Sequence, residues 1–269
     1  MATVFDDDTA LVPDGRGGFS GAVADGWQTA RGPLGGYVMA IVLRGMELAV
    51  ADPSRLPRSA TMHFLRIPEA GPVTVRPTVE RAGRSLTSVS ARLEQAGRPL
   101  GLALGAYSKG WDGPLLDDAP MPQAPPAEAR GPMQTGPVPA GGPPPFLARM
   151  TMQPRFGEPP FTRADHGEAG GWLGLLEERP LDTLTIAVLA DAWFPAPWPR
   201  LSELAPAPTI DLTVHFRAPL PLPDSLLLGR FRTSLVRDGF FEEDGELWAP
   251  NGNLVAQSRQ LGLLLGAKA

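Results

Sequence analysis

The chain has 269 residues, of which 43% are hydrophobic and 20% are charged. These fractions are typical of a globular protein, and the length suffices for one large core or two modest ones. A formal net charge of −5 argues against nucleic acid as a partner. Because the chain has no cysteine and only three histidines, we expect no disulfide, no thiolate nucleophile, no metal site and no cofactor.

Neither a leader nor a membrane span is predicted. Residues 1–8 (MATVFDDD) are acidic, whereas a signal peptide starts with a basic segment followed by an apolar one. The longest purely aliphatic run, residues 38–43, is far shorter than the ~20 residues that span a bilayer. We therefore expect a soluble, cytoplasmic protein without membrane insertion.

Residues 1–110 form the first predicted domain. Gly35 and Gly36 open an apolar helical stretch that ends near residue 50. Alternating segments follow at residues 60–67, 73–81, 85–95 and 100–108, and they indicate strands. Turn dipeptides such as Ala82-Gly83 separate these segments, as consecutive hairpins require.

Residues 111–146 form a predicted proline-rich linker. Between positions 114 and 145, 11 of 32 residues are proline, with almost no aliphatic patterning. Such a composition is typical of an extended, partly polyproline segment that cannot form a packed core.

Residues 147–269 form the second predicted domain, with the same order of elements. A helix is predicted over residues 181–194, and strands over residues 209–217, 225–236, 240–248 and 254–265. Thr61-Met62-His63-Phe64 recurs as Thr213-Val214-His215-Phe216, which indicates an internal repeat. One helix followed by antiparallel strands, twice, predicts an α+β fold.

Strand alternation predicts which face of each sheet is buried. In residues 209–217 one face is apolar and carries Ile210, Leu212, Val214 and Phe216, whereas the other carries Thr209, Asp211, Thr213 and His215. The apolar face must cover the helix, so each sheet is expected to curl around a central helix. The exposed faces and the duplication favour self-association as a homo-oligomer.

Several short motifs are similar to those of a known family. The first domain contributes Trp27, Gly32-Pro33-Leu34-Gly35-Gly36-Tyr37, Thr61-Met62-His63-Phe64-Leu65-Arg66 and Gly83-Arg84-Ser85. The second contributes Leu189-Ala190-Asp191-Ala192, Pro208-Thr209-Ile210-Asp211, His215-Phe216-Arg217 and Leu254-Val255-Ala256-Gln257-Ser258-Arg259-Gln260. With these motifs the chain resembles the type II acyl-CoA thioesterases, a TesB-like family of two fused hotdog domains.

The resemblance implies a double hotdog fold with two tandem antiparallel sheets, each wrapped around a central helix. It also implies hydrolysis of a fatty acyl-CoA thioester by a water held between three side chains, which fall on Asp191, Thr209 and Gln260. Backbone N–H groups near a helix N-terminus would stabilise the oxyanion. Acyl-CoA is then the expected substrate, and no cofactor is needed.

Each candidate also has a structural interpretation. Asp191 interrupts an apolar run at the end of a helix, where a carboxylate is unfavourable, but it could instead bind a loop amide or an arginine. Thr209 is an ordinary strand residue, and regular alternation would point it away from the helix that carries Asp191. Gln260 is a long amide in apolar surroundings and needs hydrogen-bond partners.

The histidines are weaker candidates. His63 and His215 occupy equivalent positions of the repeat and are better explained as structural, whereas His166 lies in a glycine-rich loop and is expected to be exposed. The chain also lacks a phosphate-binding loop and a Gly-x-Ser-x-Gly elbow.

The repeat predicts one hydrolytic site per chain. The positions equivalent to Asp191, Thr209 and Gln260 in the first domain fall near Arg44, Pro57 and Gly105. None of these can activate a water, so the first domain is expected to carry a degenerate site. Two alternatives stay open: a non-catalytic acyl-CoA-binding hotdog protein, and an enoyl-CoA hydratase, for which Ala196 stands where a histidine is needed.

Overall fold

A computed structural model describes residues 2–133 and 142–266. The α-helices within these residues are α1 (Val4–Asp8), α2 (Gly35–Val50) and α3 (Thr183–Leu189), and short 3-10 helices occur at Asp25–Trp27, Pro145–Arg149 and Trp198–Arg200. The strands are β1 (Val12–Pro13), β2 (Phe19–Val23), β3 (Gln28–Thr29), β4 (Gly32–Pro33), β5 (Leu56–Phe64), β6 (Gly71–Ala82), β7 (Leu86–Gln95), β8 (Arg98–Ser108), β9 (Met150–Phe156), β10 (Gly167–Leu175), β11 (Thr209–Phe216), β12 (Leu227–Thr233), β13 (Val236–Arg237), β14 (Phe240–Trp248) and β15 (Leu254–Leu263).

The strands of the two domains join into one antiparallel sheet. Its order is β1-β2-β6-β7-β8-β5-β11-β15-β14-β12-β10-β9, with β13 paired to β14, while β3 and β4 form a separate ribbon. The first six strands belong to the first domain and the others to the second. The domains meet where β5 pairs with β11. No helix of the described part, residues 2–133 and 142–266, is long and apolar enough to cross a membrane.

The repeated motif lies at the junction between the domains. Thr61 of β5 stands opposite Thr213 of β11, the residue 152 positions later in the repeat, and their hydroxyl oxygens are 2.9 Å apart. Leu212 is opposite Met62, and Val214 is opposite Ala60. Each copy of the repeat therefore pairs with the other across an approximate two-fold axis, which supports the duplication predicted from sequence.

The central helices α2 and α3 pack against each other inside the curled sheet. The close approach is at Gly36, where a Cβ atom would overlap the carbonyl oxygen of Ala187 and lie 3.0 Å from Asp191 Cβ. Only glycine allows the two backbones to come this close. This contact brings the N-terminus of α2 to the chain that follows α3.

Helix α3 is shorter than predicted, because it ends at Leu189 rather than near residue 194. The side chain of Asp182 caps its N-terminus by accepting a hydrogen bond from Thr185 N–H at 2.9 Å. After Leu189 the chain turns, and Pro195 and Pro197 prevent the helix from resuming. Asp191 thus lies in a turn after the helix.

Part of the proline-rich segment packs on the second domain. Trp172 Nε1–H donates to the carbonyl of Pro125 at 2.8 Å, and Arg130 pairs with Asp224 at 2.7 Å. Met121 and Ala124 pack against a cluster around Trp172. Residues 109–133 form no helix or strand, and residues 121–130 are docked rather than free; residues 134–141 of the predicted linker lie outside the described residues.

Candidate active site

A β-bulge turns Thr209 toward the core. Thr209 pairs with Gly262 and Asp211 with Leu261, so the register between β11 and β15 shifts by one residue at Ile210. Since a shift of one residue moves a side chain to the other face of a sheet, the bulge removes the obstacle that regular alternation poses for Thr209. The Thr209 hydroxyl donates to Gln260 Oε1 at 2.8 Å.

Gln260 and Glu243 lie side by side on the core face of the sheet. Gln260 stands opposite the fully buried Leu212 on one side and opposite Glu243 of β14 on the other. Its Nε2–H donates to Glu243 Oε1 at 2.6 Å. The other carboxylate oxygen of Glu243, Oε2, accepts a hydrogen bond from the backbone N–H of Ala196 at 2.6 Å. The amide that the sequence predicted to need partners therefore has them on both sides.

Glu243 is a site residue that the sequence analysis missed. It is 4% exposed and shares the core face of β14 with Phe241, Gly245 and Leu247. Burial raises its pKa to about 7, opposed by hydrogen bonds from Ala196 and Gln260, while the charges of Asp191 and Asp244 raise it further. An acidic residue on an otherwise apolar face of a strand was the available signal.

Asp191 lies where the two central helices meet. Its Oδ2 accepts the backbone N–H of Gly36 at 2.7 Å, at the N-terminus of α2, while its surface keeps partial solvent access. Burial raises the pKa of this carboxyl to about 6, and hydrogen bonds from Gly36 and Gly35 counteract that rise. The positive end of the α2 dipole also favours the ionised form.

The three predicted residues come together only in part. Thr209 and Gln260 are in direct contact, whereas no hydrogen bond among the described residues joins Asp191 to either of them. Asp191 is nevertheless close enough for its charge to raise the pKa of Glu243. The Gly36 N–H that binds Asp191 is at a helix N-terminus, where donors for an oxyanion are expected. The same hydrogen bond fits the structural alternative, in which Asp191 binds a backbone amide.

The equivalent region of the first domain is filled. In the register of the repeat, Gly105 stands opposite Ala60 as Gln260 stands opposite Leu212. A Cβ at Gly105 would lie 2.9 Å from the Met46 methyl carbon and 3.0 Å from the Tyr107 ring. The Met46 methyl group and the Tyr107 ring therefore occupy the space next to Gly105, where a side chain equivalent to Gln260 would begin.

The three histidines lie away from these groups. His63, His166 and His215 are all exposed, and the first and third are on the outer faces of β5 and β11. Within residues 2–133 and 142–266, no group of three or more His, Asp or Glu side chains could hold a metal ion.

The raised pKa of Asp191 predicts a stability effect. The folded carboxyl keeps its proton to higher pH than the unfolded one, so stability falls as the pH rises from the ordinary value of 3.8 to about 6 and stays reduced above it. We expect Asp191→Asn to raise the free energy of unfolding by about 1–3 kcal/mol near pH 8 and by less near pH 5. Urea unfolding at both pH values measures this; an equal gain at both, or a loss near pH 8, would contradict it.

Comparison with known sequences identifies the family. The family model described as the acyl-CoA thioesterase C-terminal domain matches residues 118–264, and that of the N-terminal domain matches residues 23–108. The chain belongs to the acyl-CoA thioesterase family. The match from residue 118 includes the proline-rich stretch that packs on the second domain. No curated protein matches the chain.

Several solved structures are similar to this one over nearly the whole chain. A hot dog fold protein of unknown function from Alicyclobacillus acidocaldarius is 27% identical, with a TM-score of 0.84 over 100% of this chain and 99% of that one. A proposed thioesterase II from Thermobifida fusca YX is 26% identical, with a TM-score of 0.80 over 97% of each. The tesB protein of Mycobacterium avium subs paratuberculosis, at 17% identity, a TM-score of 0.76 and 97% of each chain, shows the fold alone. The predicted family and double hotdog fold are confirmed.

Proposed function

We propose that the chain hydrolyses a fatty acyl-CoA to the free acid and CoA, with the attacking water held by Asp191, Thr209 and Gln260. The observation that carries this proposal is the contact of Thr209 Oγ1 with Gln260 Oε1 at 2.8 Å on the core face of the second domain. This pair needs the bulge in β11 and has no counterpart at Pro57 and Gly105. The family membership supplies the substrate class.

The hydrogen-bond directions suit a water that must lose a proton. Because Thr209 donates its hydroxyl proton to Gln260, its oxygen has lone pairs free to accept a hydrogen bond from a water. The Asp191 carboxylate offers a second acceptor. A water with one hydrogen on each of these oxygens turns a lone pair toward the thioester carbonyl, and Asp191 then takes the proton as the C–O bond forms.

The same carboxyl can complete the reaction. Collapse of the tetrahedral intermediate breaks the C–S bond and releases a thiolate, whose conjugate acid has a pKa of about 8.5 by comparison with cysteine. Because the pKa of Asp191 is about 6, proton transfer from its carboxyl to the thiolate is favourable. Asp191 returns to its ionised form, and no covalent intermediate is required.

The non-catalytic alternative has one observation in its favour. Asp191 accepts the Gly36 N–H, as a carboxylate with a purely structural role would. In that case the chain would bind acyl-CoA without consuming it. The hydratase alternative lacks support at Ala196, whose N–H binds Glu243.

A thiol-release assay separates these functions. The purified chain is incubated with saturated acyl-CoAs from acetyl to palmitoyl and with an enoyl-CoA, while free thiol and enoyl absorbance are followed. We expect thiol to be released in proportion to enzyme, with a preferred chain length. Saturable binding without thiol release would favour the binding protein, and loss of enoyl absorbance without thiol would favour the hydratase.

The pH dependence of hydrolysis follows from the pKa of Asp191. Only the ionised carboxylate can accept the water proton, so kcat/KM is expected to rise with pH through an apparent pKa near 6. Initial rates, corrected for spontaneous hydrolysis at each pH, measure this profile. The Asp191→Asn variant should lose the rise near pH 6, and a flat profile for the unmodified chain around this pH would contradict the role of Asp191.

A further inference from the structure

Glu243 connects two parts of the site. One carboxylate oxygen accepts the Gln260 amide on the neighbouring strand, and the other accepts the N–H of Ala196, five residues after Asp191. Both contacts are 2.6 Å long, and the side chain is almost fully buried. We propose that Glu243 is a positioning residue for hydrolysis, because it fixes the orientation of the Gln260 amide and thereby the direction of the Thr209 hydroxyl. This inference rests on the proposed function.

The direction of the hydrogen-bond chain follows from the acceptor-only chemistry of a carboxylate. Above its pKa of about 7, Glu243 is an ionised carboxylate that can only accept, so Gln260 must turn its Nε2 toward Glu243 and its Oε1 toward Thr209. Thr209 must then donate to Oε1, which leaves its lone pairs for the water. The second Nε2–H of Gln260 is left for a water or a thioester oxygen. Without Glu243, the amide could turn over and Thr209 could present its proton to the water instead.

The internal repeat shows that the fold does not need this carboxylate. Glu243 stands opposite Gln260 on the adjacent strand, and the corresponding partner of Gly105 is Val89. Val89 is completely buried in the first domain. The same strand pair is therefore built with Val and Gly in one domain and with Glu and Gln in the other. Burying a carboxylate is unfavourable, so the change to Glu and Gln points to the site rather than to the sheet.

The contact with Ala196 positions the Asp191 segment as well. Asp191 N–H still donates to the Val188 carbonyl at 3.1 Å, but the chain from there to Ala196 lies outside any helix or strand. By accepting the Ala196 N–H, Glu243 ties this segment to β14. Glu243 thus contacts both Gln260 and the segment that follows Asp191.

The test is Glu243→Gln, which keeps the volume of the side chain. A glutamine offers one acceptor and one donor, so it cannot accept from both Gln260 and Ala196. We expect kcat to fall about 10- to 100-fold, as for other residues that orient a catalytic group, with KM little changed. The matched control is Glu246→Gln on the opposite face of the same strand, which should keep the parent kcat.

A double-mutant cycle distinguishes positioning from a general loss of structure. If Glu243 acts in part through Gln260, Glu243→Gln should lower kcat by a smaller factor in a Gln260→Ala background than in the parent. The proposal would be overturned if the two single-variant losses of kcat multiplied fully in the double variant, or if Glu243→Gln kept the parent kcat. Glu243→Val, which places the first-domain residue at this position, should remain folded and lose kcat; failure of both Glu243 variants to fold would show a structural role and overturn it too.

The outcome also separates this inference from the proposed function. If the parent chain releases no thiol from any acyl-CoA, the proposed function fails. If the parent is active and Asp191→Asn is inactive while Glu243→Gln is unimpaired, only the positioning role of Glu243 fails.

Discussion

Asp191→Asn is expected to lower kcat for thioester hydrolysis by about 10²- to 10⁴-fold, because an amide cannot accept the proton that the attacking water loses. KM should change little, since substrate binding does not need that proton transfer. The amide oxygen can still accept the Gly36 N–H, so the contact between the helices survives. The substitution therefore removes the general base at position 191 while keeping the hydrogen bond to the N-terminus of α2. Steady-state thiol release at saturating acyl-CoA measures the effect.

Asp211→Asn is the matched control for this substitution. Asp211 lies two residues after Thr209, opposite His63 at the junction of β11 and β5. It is outside the hydrogen-bonded group of Thr209, Gln260 and Glu243. Its variant should hydrolyse acyl-CoA at the parent rate. If Asp191→Asn were as active as Asp211→Asn, the carboxylate at 191 would have only a structural role.

Gly36→Ala is expected to lower kcat by about 10²-fold, because small displacements of catalytic groups have effects of this size. The added methyl would overlap the Ala187 carbonyl and press on Asp191 Cβ, 3.0 Å away. Both contacts are with groups held by α3 and its turn, so the helices must separate or Asp191 must move. Overpacking of this kind also lowers the free energy of unfolding by about 1–3 kcal/mol. Thiol release and urea unfolding of the same preparation measure the two effects.

Gly45→Ala is the control that separates the loss of kcat from the loss of stability. Gly45 is on the same helix, and a Cβ there would lie 2.5 Å from Val75 Cγ1, on the side of α2 that packs against the first-domain sheet. This variant should lose stability to a similar degree while its kcat stays close to that of the parent. Equal loss of kcat in both variants would mean that the effect of Gly36→Ala arises from instability and not from displacement of Asp191.

Local patterns predicted eight of the fifteen strands among the described residues, namely β5 to β8, β11, β12, β14 and β15. The predicted strand at residues 240–248 coincides with β14. The predicted strand at residues 85–95 starts one residue before β7 and ends with it. Alternation also identified Leu212, Val214 and Phe216 as buried, which the structure confirms, whereas Ile210, predicted on the same face, lies at the bulge and is only half-buried. These elements obey a period of two, which can be read from sequence alone. Strand β10 was missed because its glycines weaken any strand pattern.

The arrangement of the site depends on contacts that are distant in sequence. The motif resemblance selected Asp191, Thr209 and Gln260, but the bulge at Ile210 that turns Thr209 inward has no signal in local composition. Glu243 was overlooked because one acidic residue in an alternating strand is normally assigned to the solvent side. The contact of Asp191 with Gly36 joins residues 155 positions apart and follows from the packing of two helices. Sequence thus indicated which residues to consider, and tertiary structure decided how they are oriented.

Single-turnover thiol release, with enzyme in excess over acyl-CoA, tests the shared role of Asp191, Thr209 and Gln260 most directly, because product release does not limit it. Asp191→Asn, Thr209→Val and Gln260→Ala would be compared with the unmodified chain, and acyl-CoA binding would be measured in parallel. We expect each substitution to slow thiol release by at least about tenfold with binding retained. Thiol release at the parent rate in all three variants would contradict a water held by these side chains.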